Sequence, residues 1–509
     1  MARRECGILL HPTSLPGPFG CGDIGGGARF LKLLTELKQG WWQLLPLGPT
    51  GYGDSPYQSF SSFALNPMFA DLEALAAEGW LKPEELATPS FPAGHVDYGT
   101  VIPWRMDRLA LAAGRFLRDA SPSDRRALAR FEARHADWLP DFALFMALKA
   151  FHNGRAWVEW EPELAQRHGR ALASAARMLE HDIARQRVWQ FWLDRQWSNL
   201  RRASKARGIQ LIGDVPIFAA HDSADVWSRP DLFRLEPDGR PSVVAGVPPD
   251  YFSSTGQRWG NPLYHWPRHE AEGFAWWIAR IRRSLTWTDL VRIDHFRGFA
   301  AYWEIPGDAP TAEHGRWVAA PGEALLTAVR AAFGRTPILA EDLGVITPDV
   351  IALRDGFGLP GMTILQFETH RLLDRPPRRP ESGRWNRAIY TGTHDNDTAL
   401  GWFSHPARGP GTPEYAEHQR HTNALLDYVG GDGGDIHWRM LDLAWRSSAR
   451  WAMTPLQDVL GLGREGRMNT PGVPGGNWQW RFAWDDCTPE IQKRLTELTL
   501  RYGRAPKER

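Results

Sequence analysis

Cysteine is scarce in this chain: Cys6, Cys21 and Cys487 are the only three in 509 residues. Their spacing fits neither a disulfide framework nor a metal-ligand pattern, which points to a reducing, cytoplasmic setting. Charge of one sign is missing as well. Sixty lysines and arginines (60) against 59 acids leave a formal charge of +1, so no basic footprint for a nucleic-acid partner exists. No apolar run reaches bilayer-spanning length, and no membrane partner is expected. The opening Met1–Ile8 has basic residues but no apolar h-region, so no signal peptide is expected either. What the chain does have is tryptophan, 26 in all. Most must serve packing, but flat aromatic faces also suit the apolar face of a sugar ring.

Along the chain, short apolar runs alternate with helical periodicity. Gly7–Leu10 reads as a strand, and Phe30, Leu31, Leu34 and Leu37 mark one face of a helix that stops at Gly40. Trp41–Pro46 reads as a second strand. Residues 50–187 then read as a mostly helical insertion, too long for a plain loop. A helix over Val188–Ala206 leads to a third strand, Ile209–Gly213, and residues 217–269 read as a second, lid-bearing insertion. The helix carrying Phe274, Trp277, Ile278, Ile281 and Leu285 precedes a fourth strand that runs through Leu290–Ile293 into Asp294. Strands five to eight are expected at Pro337–Ala340, Met362–Phe367, Ala388–Thr391 and Ala452–Pro455. Eight strands in this rhythm specify the α/β class and a (β/α)₈ TIM barrel with large insertions after strands 2 and 3. Residues 1–509 are read as one catalytic unit, with the tail Gly503–Arg509 disordered.

Residues just after barrel strands form one ring around one mouth. Here the ring holds His11, Gln43, Asp214, Asp294 with His295, Glu341, and His394 with Asp395. Asp342 and Asp397 precede helical runs and read as N-caps; that account suits Asp294, Glu341 and Asp395 poorly. Paired carboxylates suit glycosidic cleavage, one protonating the leaving oxygen while the other attacks the anomeric carbon or activates water. The acid then needs a raised pKa, from burial or a neighbouring anion. The nucleophile needs to stay ionised, which Arg292 would favour. Converging acids could equally hold magnesium, as in metal-dependent lyases and isomerases. The residues alone leave both open.

These residues sit inside a longer series of motifs. It comprises His11–Pro18, Leu47–Gln58, Gly213–Phe218, Gly246–Pro262, Arg292–Gly298, Ala340–Gly344, Tyr390–Thr398 and Gln457–Pro471. In that series and order the chain resembles the 4-alpha-glucanotransferase family (amylomaltase or disproportionating enzyme, glycoside hydrolase family 77) of the α-amylase clan. The resemblance implies that Asp294 is the nucleophile, Glu341 the general acid/base, and Asp395 the carboxylate that binds sugar hydroxyls. It implies that Arg292, His394 and Asp214 surround the −1 sugar with His295, and that Tyr57 stacks beneath it. Tyr251, Phe252 and Trp259 would lie on a lid loop that excludes water, and Asn469 on the facing loop near the acceptor sites. Maltooligosaccharides and starch or glycogen chains are the implied partners of a monomer using no cofactor and no metal. Two departures bear on outer subsites: Ala300 stands where many relatives carry Glu, and Glu368-Thr369-His370 where an Asp often assists. The competing readings are an α-amylase-type hydrolase, a metal-dependent barrel enzyme and a non-catalytic glycan-binding barrel.

Overall fold

The computed structural model describes residues 3–249, 255–368, 386–406 and 409–507. Its centre is an eight-stranded parallel sheet. In chain order the strands are β1 (Glu5–Leu9), β2 (Trp41–Gln43), β3 (Gln210–Pro216), β4 (Leu290–Asp294), β5 (Ile338–Ala340), β6 (Gly361–Ile364), β7 (Arg387–Tyr390) and β8 (Trp451–Pro455). Their spatial order is β6-β7-β8-β1-β2-β3-β4-β5. The ring closes between β5 and β6, where the Ala340 N–H donates to the Pro360 carbonyl at 2.8 Å. This is the (β/α)₈ barrel the strand count specified.

Helices pack outside it for reasons visible in the chain. Asp23 caps the helix Ile24–Glu36 by accepting from the Gly26 N–H at 3.0 Å, and Phe30, Leu31 and Leu34 turn inward. The long helix Glu180–Ala206 buries Val188, Trp192, Trp197 and Leu200. Between β2 and β3 the chain adds helices Tyr98–Asp119, Pro122–Arg134, Leu139–Phe151 and Gly169–Met178. Inside the barrel, alternate residues point inward. Trp41, Ile212, Leu339, Met362, Tyr390, Trp451 and Met453 fill it. β1 and β2 approach so closely that a side chain at Gly7 would meet the Trp41 carbonyl at 2.3 Å.

Three expectations need correction. First, the sequence pattern missed a four-stranded antiparallel sheet. Strands Val243–Val247 and Gln257–Pro262, from the insertion after β3, pair with Ala301–Pro306 and Arg316–Ala319, from a further insertion after β4. Second, the tail is tied down at Arg504. The fully buried Arg504 donates to the carbonyls of Trp445 (2.6 Å), Glu5 (2.9 Å) and Ala449 (3.1 Å). Its guanidinium satisfies backbone groups beneath the barrel, something a polar, charged tail does not advertise. Third, neither Asp342 nor Asp397 is an N-cap. Asp342 accepts from the Met362 N–H at 2.6 Å across the β5–β6 seam and pairs with Arg354 and Arg387. Asp397 pairs with Arg464 at 2.9 Å, and the cap of helix Ala399–Ser404 is Thr398.

Candidate active site

Two registers build the mouth. Asp214 on β3 lies opposite Arg292 on β4, and Ile293 on β4 lies opposite Ala340 on β5. The following residues, Asp294 and Glu341, therefore emerge side by side where the two strands end. Arg292 shares the inward face with Asp294, one layer deeper. It is 3 % exposed and grips Asp214 with bonds of 2.8 and 2.7 Å, while its other amino group reaches Asp294 at 2.9 Å. Burial opposes charge on Arg292, but Asp214 and Asp294 outweigh it and raise its pKa well above the ordinary value. Burial also raises Asp214, with Arg292 acting against the rise.

After Asp294 the chain turns sharply: His295 has φ +52°, a left-handed conformation that is strained for a non-glycine residue. The turn aims the His295 N–H at Glu341 Oε2 (2.6 Å), while Oε1 accepts from the Leu343 N–H at 2.9 Å. Burial dominates Glu341 and pushes it up to about 8, despite the lowering effect of Arg292. Glu341 thus keeps a proton at neutral pH, while Asp294 faces a permanent cation. Burial holds the His295 imidazole down to about 4. Its ring meets Trp259 edge-on at 4.8 Å.

The loop after β7 forms the opposite wall. His394 Nε2 lies 3.3 Å from Asp395 Oδ2, and Asn469 donates to Asp395 Oδ1 at 2.6 Å. Burial alone would raise Asp395, but the imidazole and the amide prevail and hold it below the usual carboxylate range. His394 is raised in return, because Asp395 outweighs its burial. The Tyr57 ring stacks on His394 at 5.2 Å and 16°, and its hydroxyl donates to Asp214 Oδ2 at 3.0 Å. Tyr57, Asp214, Arg292, Asp294, Glu341, His394, Asp395 and Asn469 thus form one connected network. Tyr251 and Phe252 lie outside the described residues, as do Thr369 and His370.

Sequence reasoning missed two supports. Arg467 donates to the Asp395 carbonyl and the Asn469 carbonyl, both at 2.8 Å, fixing one loop against the other. Its place two residues before Asn469 was the available signal. Trp478 packs near Tyr57 (5.8 Å) and His394 (5.9 Å) and walls the site. Among 26 tryptophans nothing marked it out.

Known proteins resemble this chain along almost its whole length. The profile of the family described as 4-alpha-glucanotransferase matches residues 10–487. A 4-alpha-glucanotransferase of Thermus thermophilus is 51% identical over 506 residues, covering 97% of this chain and 98% of the relative. One from Synechocystis sp. is 44% identical over 506 residues, covering 99% and 98%. Among solved structures, an amylomaltase from Streptococcus agalactiae in complex with acarbose superposes with a TM-score of 0.91 at 36% identity, covering 99% of this chain and 100% of that one.

Proposed function

The chain belongs to the 4-alpha-glucanotransferase family and is a 4-alpha-glucanotransferase acting on α-glucans; on that premise we propose that it works by retaining double displacement through Asp294, Glu341 and Asp395. In the first half, Glu341 gives its proton to the glycosidic oxygen as Asp294 forms an ester with the anomeric carbon, and the donor's reducing-end segment leaves. In the second, ionised Glu341 takes the proton from the 4-hydroxyl of an acceptor glucan as that oxygen displaces Asp294. Asp395 and His394 hold sugar hydroxyls, Asn469 holds Asp395, and Tyr57 supplies the stacking face beneath the ring. Asp214, Arg292 and His295 frame the same subsite. Trp259, edge-on to His295, helps to wall water from the intermediate. Maltooligosaccharides, starch and glycogen chains are the substrates we expect, and the enzyme acts as a cytoplasmic monomer.

The observation that carries this reading is the unequal treatment of two adjacent acids. Asp294 faces the Arg292 guanidinium at 2.9 Å, and Glu341 is buried enough to stay protonated up to about pH 8. A cation beside one carboxyl and burial around the other separate nucleophile from acid. The same arrangement weighs against the magnesium reading. Asp214 spends both oxygens on Arg292, Glu341 both on backbone N–H groups, and Asp395 its pair on Asn469 and His394. The cation at their centre is a guanidinium.

Incubation with maltotriose, with and without EDTA, tests it. Glucose plus a ladder of chains longer than the substrate, insensitive to EDTA and with the new linkages α-1,4 by NMR, is the expected result. Glucose and maltose alone would mean that water intercepts the intermediate, a β-configured new linkage would exclude double displacement, and loss of activity with EDTA would revive the metal reading.

A further inference from the structure

Behind the sugar-facing wall, a small cavity lies between the turn after β1 and the loop after β7. His11, Ser14, Leu45, His394, Gln457 and Met468 are among its lining residues, and it holds about 20 Å³ of water-sized space. Both histidines are only 5 % exposed. Nδ1 of His11 and Nδ1 of His394 are each buried without a hydrogen-bond partner among the described residues. Buried polar atoms rarely stay unpaired, and a polar cavity of this size holds one water when two to four polar groups surround it. We propose that His11 is a positioning residue for transfer: a single water in this cavity bridges Nδ1 of His394 and Nδ1 of His11.

The two rings are complementary in this role. Burial, reinforced by repulsion from His394, drops His11 to about 3, so its ring is neutral and offers an acceptor nitrogen. His394 turns Nε2 to the Asp395 carboxylate at 3.3 Å, which leaves Nδ1 to find its partner on the far side. A bound water satisfies both. It also pins the imidazole plane on which Tyr57 stacks, and so the wall presented to the sugar. Ser14 and Gln457 supply the remaining polar lining. His11 touches no sugar; it acts through the water and His394, and the inference therefore rests on the role proposed above for the His394–Asp395 pair.

A crystal structure of the full chain at a resolution that orders waters, with kinetics on two variants, tests it. One density peak within hydrogen-bond reach of both Nδ1 atoms is expected. His11→Leu, which removes the acceptor at similar volume, lowers kcat on maltotriose about tenfold with KM nearly constant, the scale of one buried hydrogen bond. His11→Asn, whose Oδ1 sits where Nδ1 did, recovers most of that loss. A dry cavity, a His11→Leu variant with wild-type kcat, or a His11→Asn variant as impaired as His11→Leu would each overturn the proposal. Thermal melts of both variants separate this from loss of fold. Wild-type activity in Asp395→Asn would instead defeat the reading on which the inference rests, whatever the cavity contains.

Discussion

The His295 N–H donates to Glu341 Oε2 at 2.6 Å. The residue that follows one working carboxylate therefore orients the other, through a left-handed turn at His295 with φ +52°. This bond and its partner from Leu343 both favour ionised Glu341, yet burial prevails and its pKa rises to about 8. The site keeps a carboxyl protonated against two hydrogen bonds that would rather see it charged.

The first consequence is a pH limb. The protonated form starts the reaction, so kcat/KM should fall about tenfold per unit above pH 8. A flat profile to pH 9.5 would contradict the assignment. Stability follows the same group with a definite sign. Because the folded pKa lies above the unfolded one, Glu341 leaves stability intact below about pH 4.5, and stability declines as pH rises towards 8. Glu341→Gln should therefore be nearly inactive on maltotriose yet more stable than the wild type at pH 8, by on the order of 2 kcal/mol. Equal melting temperatures at pH 8 would show that the ionised carboxylate is not penalised.

Arg292 gives a second test. It is buried with Asp214 on one side and Asp294 on the other. Arg292→Met strands the buried Asp214 carboxylate without a cation, which should cost about 3–5 kcal/mol. Arg292→Lys keeps the charge but not the fork that spans both acids, so kcat should fall at least tenfold. Calorimetry of the first and kinetics of the second check this; a stable Arg292→Met would show that the pair is dispensable.

Tyr57 separates stacking from hydrogen bonding. Tyr57→Phe loses only the 3.0 Å bond to Asp214 and should cost about 1 kcal/mol, three- to tenfold in kcat/KM. Tyr57→Ala also removes the ring stacked on His394 and should cost a further tenfold or more. Similar losses in the two variants would mean that the hydroxyl, and not the ring, matters.

The barrel was legible because its strands are mostly short apolar runs with polar residues at or soon after their ends, a local pattern that needs no knowledge of partners. The ring of acids was legible for the same reason: strand ends place them. The antiparallel sheet was not, because Ala301–Pro306 finds its partners in Val243–Val247 and Arg316–Ala319, strands of only four to six residues joined across two insertions. Arg504 was hidden in a tail whose composition says solvent, although its bonds run to Glu5 and Trp445. Asp342 shows the limit within the site itself. Its position before a helix mimics a cap, whereas its bond to the Met362 N–H joins the two strands that close the barrel. Long-range pairing decides such cases, and local spacing does not carry it.

In the proposed first displacement, Asp294 becomes covalently bonded to the sugar. Glu341→Gln incubated with a fluorinated α-maltosyl fluoride isolates that step, since fluoride leaves without a proton while the missing base stalls the second displacement. Intact-mass spectrometry should show one added glycosyl unit, and peptide mapping should place it on Asp294. Release of fluoride with no adduct, or an adduct on any other residue, would contradict the account.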